Sequence, residues 1–130
     1  MPYNNLLLID DDEDDHEIFF SAVEEVNKGV ARIGMTDAAE ALQQLEAKLL
    51  NPEVIFLDLN MPVMSGQEFL KEIKKRPPLN HIPVIIFSTS SHLPTINLTK
   101  ELGALDFITK PQTYDELVKV LTPYLSIQIQ

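Results

Sequence analysis

The stretch LLLIDDDEDDHE, residues 6–17, joins four aliphatic residues directly to a block that holds seven carboxylates in eight positions. Four consecutive aliphatic residues are typical of a β-strand that is covered on both faces, as in a parallel sheet. Apolar residues then recur at helical spacing and predict a helix with one buried face: Ile18, Phe19, Ala22, Val23 and Val26. The stretch therefore predicts a βα unit whose connection concentrates like charges, although such charges repel one another.

Four further runs rich in branched apolar residues follow the same pattern along the chain. They are Val30 to Met35, Val54 to Leu59, Val84 to Ser88 and Ala104 to Thr109. The run from Val30 is the least apolar, which predicts a strand at the edge of the sheet. Strands that alternate with helices are the pattern of an α/β fold. Five βα units with right-handed crossovers predict a three-layer, doubly wound parallel sheet.

Capping signals and prolines indicate where the helices begin and end. Asp37 with Glu40 three residues later predicts the start of the second helix, whose apolar face comprises Ala38, Ala41, Leu42, Leu45 and Leu49. A third helix is predicted over residues 67–75 and a fourth over residues 94–102. The last helix begins near Tyr114 and is expected to end or kink at Pro123, which cannot donate a backbone hydrogen bond.

Length, composition and charge restrict the class of protein. The 130 residues suit one domain spanning residues 1–130, with a core over about 5–122 and a short C-terminal tail. The net charge of −10 makes nucleic acid or an anionic membrane an unfavourable direct partner. There is no cysteine, no signal-peptide pattern and no apolar run as long as a membrane span, so we expect a cytoplasmic protein without membrane insertion.

Polar residues follow the predicted strands at the ends where ligands bind in doubly wound sheets. They are Asp10, Asp11 and Asp12 after the first strand, Asp58 and Asn60 after the third, Ser88 and Thr89 after the fourth, and Lys110 after the fifth. Carboxylates gathered at one place repel one another unless a cation lies among them. Mg²⁺ prefers oxygen ligands and commonly binds one or two carboxylates together with a phosphoryl oxygen. The sequence therefore predicts Mg²⁺ held mainly by Asp11 and Asp58, with help from Asp10.

A carboxylate beside Mg²⁺ can act as a nucleophile toward a phosphoryl group and form an aspartyl phosphate. Asp58 is the residue placed for this role. Phosphoryl transfer is catalysed chiefly by positioning and by electrostatic stabilisation of the transferring oxygens. We expect Lys110 to supply the ammonium and Ser88 the hydroxyl for that stabilisation.

The motifs that carry these residues resemble those of response-regulator receiver domains of bacterial two-component signalling. The similar segments are LLLIDD at residues 6–11, FLDLNMPVMSG at 56–66, PVIIFS at 83–88 and DFITKP at 106–111, and the resemblance covers about residues 5–122. It implies a flavodoxin-like sheet with strand order 2-1-3-4-5. It also implies a stand-alone, single-domain regulator, because no effector segment follows the predicted core.

The resemblance also implies roles for individual residues. Asp58 would accept a phosphoryl group from a sensor histidine kinase or a histidine phosphotransfer protein, and the domain would assist this transfer and its reversal without turning over a separate substrate. The main-chain carbonyl of Asn60 would be a metal ligand, and the bond between Lys110 and Pro111 would be cis. Ser88 and Phe107 would form a switch pair that changes the surface of helix 4, strand 5 and helix 5. That surface would then regulate a partner protein, or the phosphoryl group would continue along a phosphorelay.

Three other functions are weighed against this one. Asp10 and Asp12 have the spacing of an aspartyl-nucleophile phosphatase of the haloacid-dehalogenase type, but Asp58 would then have no role and the chain offers no cap domain. A receiver-like module that no longer accepts phosphate is disfavoured by the intact set of Asp11, Asp58 and Lys110. A flavodoxin is disfavoured because carboxylates follow the first strand where a phosphate-binding loop is needed.

Several polar residues near these motifs have structural explanations. Glu13, Asp14, Asp15 and Glu17 favour the first turn of a helix and are predicted to face water, while Asp12 is predicted to cap that helix. The three histidines, His16, His81 and His92, lack the spacing of metal ligands and are predicted to be surface or loop residues.

Overall fold

The computed structural model describes residues 2–125, and strands and helices alternate strictly along them. The strands are β1 Asn5–Ile9, β2 Ala31–Met35, β3 Val54–Leu57, β4 Val84–Ser88 and β5 Asp106–Thr109. The helices are α1 Glu13–Val26, α2 Ala38–Glu46, α3 Gly66–Lys74, α4 Leu93–Glu101 and α5 Tyr114–Leu125. The end of the predicted C-terminal tail, residues 126–130, lies outside the described residues.

All five strands run parallel in the order β2-β1-β3-β4-β5, which confirms the predicted doubly wound, flavodoxin-like sheet. In the register, Ile9 at the end of β1 lies between Met35 of β2 and Leu57 of β3. The carboxyl ends of β1 and β3 are therefore level and adjacent. Residues that follow these two strands must come close together at one edge of the sheet.

Alternate residues of the strands contribute their side chains to two separate hydrophobic cores, one on each face of the sheet. On one face, α1 and α5 cover β1, β3, β4 and β5, and the ring of Phe19 meets Phe56 and Phe87 edge-on at centroid distances of 5.1 and 5.2 Å. On the other face, α2 and α3 cover Leu7, Ile55 and their neighbours. Because both faces are covered, the central strands are apolar throughout. β2 has exposed residues and lies at the sheet edge, as predicted.

Side-chain caps account for the starts of the helices near the site. Asp12 caps α1, and its carboxylate accepts hydrogen bonds from the backbone of Asp14 at 2.9 Å and of Asp15, as predicted. Asp37 caps α2 by accepting from Glu40 N at 3.0 Å. Ser65 and Glu68 form a reciprocal capping box at the start of α3 that was not predicted.

Three details of the helices differ from the prediction. Ile18 is 51% exposed rather than buried, and His16 lies on the buried face of α1. Leu49 is exposed because α2 ends at Glu46. α5 does not end at Pro123, which was one of the two predicted outcomes, but continues to Leu125, whose buried side chain holds the last turn against the sheet; a kink at Pro123 stays a prediction. No helix within residues 2–125 combines the length and the apolar composition that crossing a membrane requires.

Candidate functional site

The acidic pair after β1 divides into one buried and one exposed carboxylate. Asp10 is 1% exposed, and its backbone N–H donates to the carbonyl of Met35 at 3.1 Å, which extends the β1–β2 pairing by one residue. Its Oδ1 accepts a hydrogen bond from the backbone of Asp12 at 3.0 Å. Asp11 is exposed beside it. The pair is therefore held by the strand on one side and by the start of α1 on the other.

Asp58 is held at the end of β3 by its own backbone. Its N–H donates to the carbonyl of Ile9 at 2.9 Å, and its side chain is largely buried. Gly66 packs directly behind it, because a Cβ built on this glycine would lie 2.3 Å from the carbonyl oxygen of Asp58. The backbone N–H of Gly66 also donates to the carbonyl of Leu59 at 3.0 Å. Glycine at position 66 thus allows the loop after β3 to fold back against the strand end.

Lys110 brings the only ammonium group found among these carboxylates in residues 2–125. Its backbone N–H donates to the carbonyl of Ser88 at 2.7 Å, which fixes the end of β5 against β4. Its Nζ donates to Asp10 Oδ2 at 2.8 Å and to Asp15 Oδ2 at 2.8 Å. The distance from Nζ to Asp58 Oδ1 is 3.8 Å, which is an ion pair rather than a hydrogen bond.

Asp15 was not predicted to belong to the site. Sequence reasoning placed it among solvated acids in the first turn of α1, and it does lie in that turn. Its partner Lys110 is 95 residues away in sequence, and only the tertiary fold brings the two together. No local pattern distinguishes Asp15 from Glu13 or Asp14.

The bond between Lys110 and Pro111 is trans, so the cis bond implied by the family resemblance is a wrong prediction for this structure. A trans bond before proline is intrinsically favoured by roughly 0.5–1 kcal/mol. With this bond trans, the lysine side chain still reaches Asp10 and Asp15.

The remaining predicted residues lie around the same strand ends. Ser88 is fully buried, and its hydroxyl oxygen accepts a hydrogen bond from the backbone of Ser90 at 3.3 Å. Phe107 is half-buried and packs against the core on the α2–α3 face. Asn60 is exposed on the loop after β3. The switch roles of Ser88 and Phe107 and the ligand role of Asn60 stay predictions.

His16 is a buried residue beside the site, so its prediction as a surface residue is wrong. Its Nε2 lies 2.6 Å from the carbonyl oxygen of Asp10, and its ring meets Phe20 edge-on. The ring also lies over Gly34 in β2, where a Cβ would come within 2.3 Å of the histidine Nδ1. The histidine thus ties α1 to the acidic turn after β1, and glycine at position 34 leaves space for its ring.

The arrangement of three carboxylates can hold a metal ion. One oxygen from each of Asp10, Asp11 and Asp58 lies within 4.8 Å of the others. Oxygen donors of this kind suit a hard divalent cation such as Mg²⁺. The Lys110 ammonium is paired with three carboxylates, and Asp11 lies beside them, so a further positive charge would be favourable. The residues therefore fit the predicted cation.

The pKa of Asp58 reflects its burial. Desolvation is the largest influence and raises this pKa from 3.8 to about 6, with Lys110 opposing the shift and Asp10 adding to it. For Lys110, burial lowers the pKa, but hydrogen bonds to Asp10 and Asp15 outweigh it, so the pKa lies above its usual value. The site therefore combines a permanently charged ammonium with a carboxylate that is costly to ionise.

Replacing Asp58 by asparagine is expected to stabilise the metal-free protein at pH 7.5 by about 1–2 kcal/mol. The folded protein holds the Asp58 proton more tightly than the unfolded chain does. This carboxyl therefore stabilises the fold below about pH 4, and the contribution is lost as the pH rises through about 6. Urea unfolding with a chelator present, at pH values from 4 to 7.5, measures the difference between Asp58→Asn and the wild type.

The control for this measurement is Asp115→Asn, which changes an exposed carboxylate in the first turn of α5. We expect the difference in free energy of unfolding between this variant and the wild type to vary little between pH 5 and 7.5. An Asp58→Asn variant less stable than the wild type at pH 7.5 would contradict the raised pKa.

Comparison with known protein families agrees with the site. A model described as the response regulator receiver domain matches residues 6–122. Curated relatives include the response regulator Rcp1 of Synechocystis sp., 36% identical over 87 residues that make up 65% of this chain and 59% of that protein. The DNA-binding transcriptional regulator NtrC of Escherichia coli is 34% identical over 106 residues, which are 78% of this chain and 22% of that protein. The chain thus spans between about a fifth and three-fifths of the length of these relatives.

Solved structures show the same fold. The phosphorylated cyanobacterial phytochrome response regulator RcpA superposes with a TM-score of 0.84 at 28% identity, covering 93% of this chain and 90% of that one. The Mn²⁺-bound form of response regulator Rcp1 superposes with a TM-score of 0.77 at 31% identity, covering 92% of this chain and 90% of that one. The first of these proteins is phosphorylated and the second is bound to Mn²⁺.

Proposed function

The chain belongs to the response regulator receiver domain family, and on that premise we propose that Asp58 takes a phosphoryl group from a phosphohistidine and thereby switches the domain. The observation that carries this proposal is the position of Asp58. It is a largely buried carboxylate that lies 3.8 Å from the Lys110 ammonium and within a cluster of carboxylates able to hold a cation. A carboxylate beside an ammonium and a cation site provides the groups that phosphoryl transfer to an aspartate requires.

In the transfer, a carboxylate oxygen of Asp58 forms a bond to phosphorus as the bond from phosphorus to the donor nitrogen breaks. The electron pair of that broken bond stays with the imidazole, which takes up a proton and leaves. Lys110 balances the charge on the transferring oxygens, since its high pKa keeps it protonated. In hydrolysis, a water oxygen bonds to phosphorus as the bond from phosphorus to the Asp58 oxygen breaks, so that the carboxylate is restored and inorganic phosphate leaves.

A divalent cation fits the carboxylates of Asp10, Asp11 and Asp58, and the family resemblance adds the carbonyl of Asn60. When bound, Mg²⁺ supplies charge neutralisation for the carboxylates and the phosphoryl oxygens. Asp10 is already oriented by hydrogen bonds to its backbone and side chain. The Oδ2 of Asp10 also accepts from Lys110, so a cation that binds this oxygen would have to share it with the ammonium or displace it.

Ser88 and Phe107 are proposed to transmit the change in Asp58 to the surface. The Ser88 hydroxyl would leave Ser90 and donate to the phosphoryl group, and Phe107, now half-buried, would move inward. Exposed apolar residues near the α4–β5–α5 surface support its use in contacting a partner, namely Leu93, Leu98 and Leu105. The partner would be a downstream protein or the next member of a phosphorelay.

The phosphodonor is proposed to be a sensor histidine kinase or a histidine phosphotransfer protein, and the domain would act in the cytoplasm. The net charge of −10 does not favour direct contact with nucleic acid. We propose no turnover of a separate substrate, because the nucleophile is itself the group that carries the signal.

Uptake of phosphate from acetyl phosphate tests the proposed function. With Mg²⁺ present, the intact mass of the wild-type protein is expected to rise by one phosphoryl group, and Asp58→Asn is expected to show no rise. The matched control, Asp115→Asn, removes an exposed carboxylate away from the cluster and should be phosphorylated like the wild type. Absence of the mass change in the wild type would contradict the proposal.

A further inference from the structure

The Lys110 ammonium is held by two carboxylates, and neither of them is the phosphoacceptor. A lysine ammonium has three N–H donors, and Nζ donates two of them at 2.8 Å, to Asp10 and to Asp15. The distance of 3.8 Å to Asp58 Oδ1 is too long for a hydrogen bond. A gap therefore separates the ammonium from the carboxylate that it would assist.

Asp15 differs from Asp10 in one respect that matters for this contact. Asp10 belongs to the three carboxylates that can hold a cation, whereas Asp15 does not. A cation that draws on the oxygens of Asp10 would compete with Lys110 for them. Asp15 lies outside that cluster, in the first turn of α1, so a cation held there would not compete with Lys110 for its oxygens.

We propose that Asp15 is a positioning residue that holds the Lys110 ammonium off Asp58 and leaves space between them for a phosphoryl oxygen. The inference rests on the proposed function, since Asp15 acts only through Lys110. Without Asp15, the flexible lysine stem lets Nζ close onto the buried Asp58 carboxylate. A direct hydrogen bond from Nζ then occupies an oxygen of the nucleophile, and this bond must break before that oxygen can attack phosphorus.

The test is the rate at which acetyl phosphate modifies the protein at saturating Mg²⁺, followed by intact mass. Asp15→Ala is expected to slow this rate about tenfold, in keeping with the loss of about 1.4 kcal/mol of positioning. The matched control is Asp14→Ala, which removes an exposed carboxylate one residue away that does not contact Lys110. Loss of negative charge alone favours an anionic donor, so the control should react as fast as the wild type or faster.

A second measurement shows whether Asp15 acts through Lys110. In a Lys110→Ala background, adding Asp15→Ala is expected to change the rate less than twofold. A full tenfold effect in that background, or equal rates for Asp15→Ala and Asp14→Ala, would overturn the inference.

An NMR readout separates failure of the inference from failure of the proposed function. The ¹H–¹⁵N signal of the Lys110 ammonium in the metal-free protein should be observable in the wild type, where two carboxylates slow its proton exchange, and it should shift or disappear in Asp15→Ala. An unchanged signal in Asp15→Ala would overturn the positioning role, even if the wild type took up no phosphate. A wild-type protein that took up no phosphate but showed the expected NMR change would refute the proposed function alone.

Discussion

Gly66→Ala is expected to lower the free energy of unfolding by about 3 kcal/mol. The added methyl group would lie 2.3 Å from the carbonyl oxygen of Asp58 and 2.7 Å from the Cα of Leu59. Both are backbone atoms at the end of a buried central strand, so they cannot move aside as a flexible side chain would. Urea unfolding monitored by circular dichroism measures the loss.

The control for Gly66→Ala is the same substitution at Gly29, an exposed residue. There the nearest atom to an added Cβ is the side-chain oxygen of Asn27 at 3.3 Å. We expect Gly29→Ala to change the free energy of unfolding by less than about 1 kcal/mol. Equal stabilities of the two variants would contradict the close packing of Gly66 behind Asp58.

Adding Mg²⁺ is expected to stabilise the wild-type protein by about 2.7 kcal/mol when its free concentration is about a hundred times the Kd. Asp11→Asn is expected to weaken Mg²⁺ binding at least about tenfold, since it removes one of three clustered carboxylates. Asp11 is exposed, so its replacement should leave the metal-free fold intact. Thermal unfolding over a range of Mg²⁺ concentrations measures both effects.

Glu13→Gln is the matched control for the metal measurement. It removes an exposed carboxylate two residues further along, at the first position of α1 and outside the cluster. We expect its Mg²⁺ response to stay close to that of the wild type. If Asp11→Asn kept the full Mg²⁺ response, Asp11 would not be a metal ligand.

The parallel sheet could be predicted because each strand is a short branched apolar run between helical segments, whereas its strand order was implied only by the resemblance to receiver domains. β1, β3 and β4 are covered on both faces, and this burial leaves a continuous apolar signal in the sequence. β2 lies at the edge with exposed residues, and its weaker signal predicted that position. Helix ends were predicted less well where packing outweighs local preference, as in α5, which continues through Pro123 to the buried Leu125.

The site could be predicted only in part. Asp10, Asp11, Asp58 and Lys110 follow strands directly, and parallel strands bring such residues to one edge of the sheet. Asp15 and His16 were missed because local pattern assigns a helical residue only to a buried or an exposed face. The contact of Asp15 with Lys110 and that of His16 with the Asp10 carbonyl are tertiary contacts, which no local pattern indicates. The pattern of residues likewise does not determine the isomer of the Lys110–Pro111 bond.

Locating the phosphoryl group on the chain tests the central claim most directly. After reaction with acetyl phosphate and Mg²⁺, borohydride reduces an aspartyl phosphate to homoserine, and peptide mass spectrometry identifies the residue that was converted. We expect conversion at Asp58 alone. Conversion at Asp10, the residue that an aspartyl-nucleophile phosphatase would use, or at no aspartate at all, would contradict the assignment of Asp58 as the phosphoacceptor.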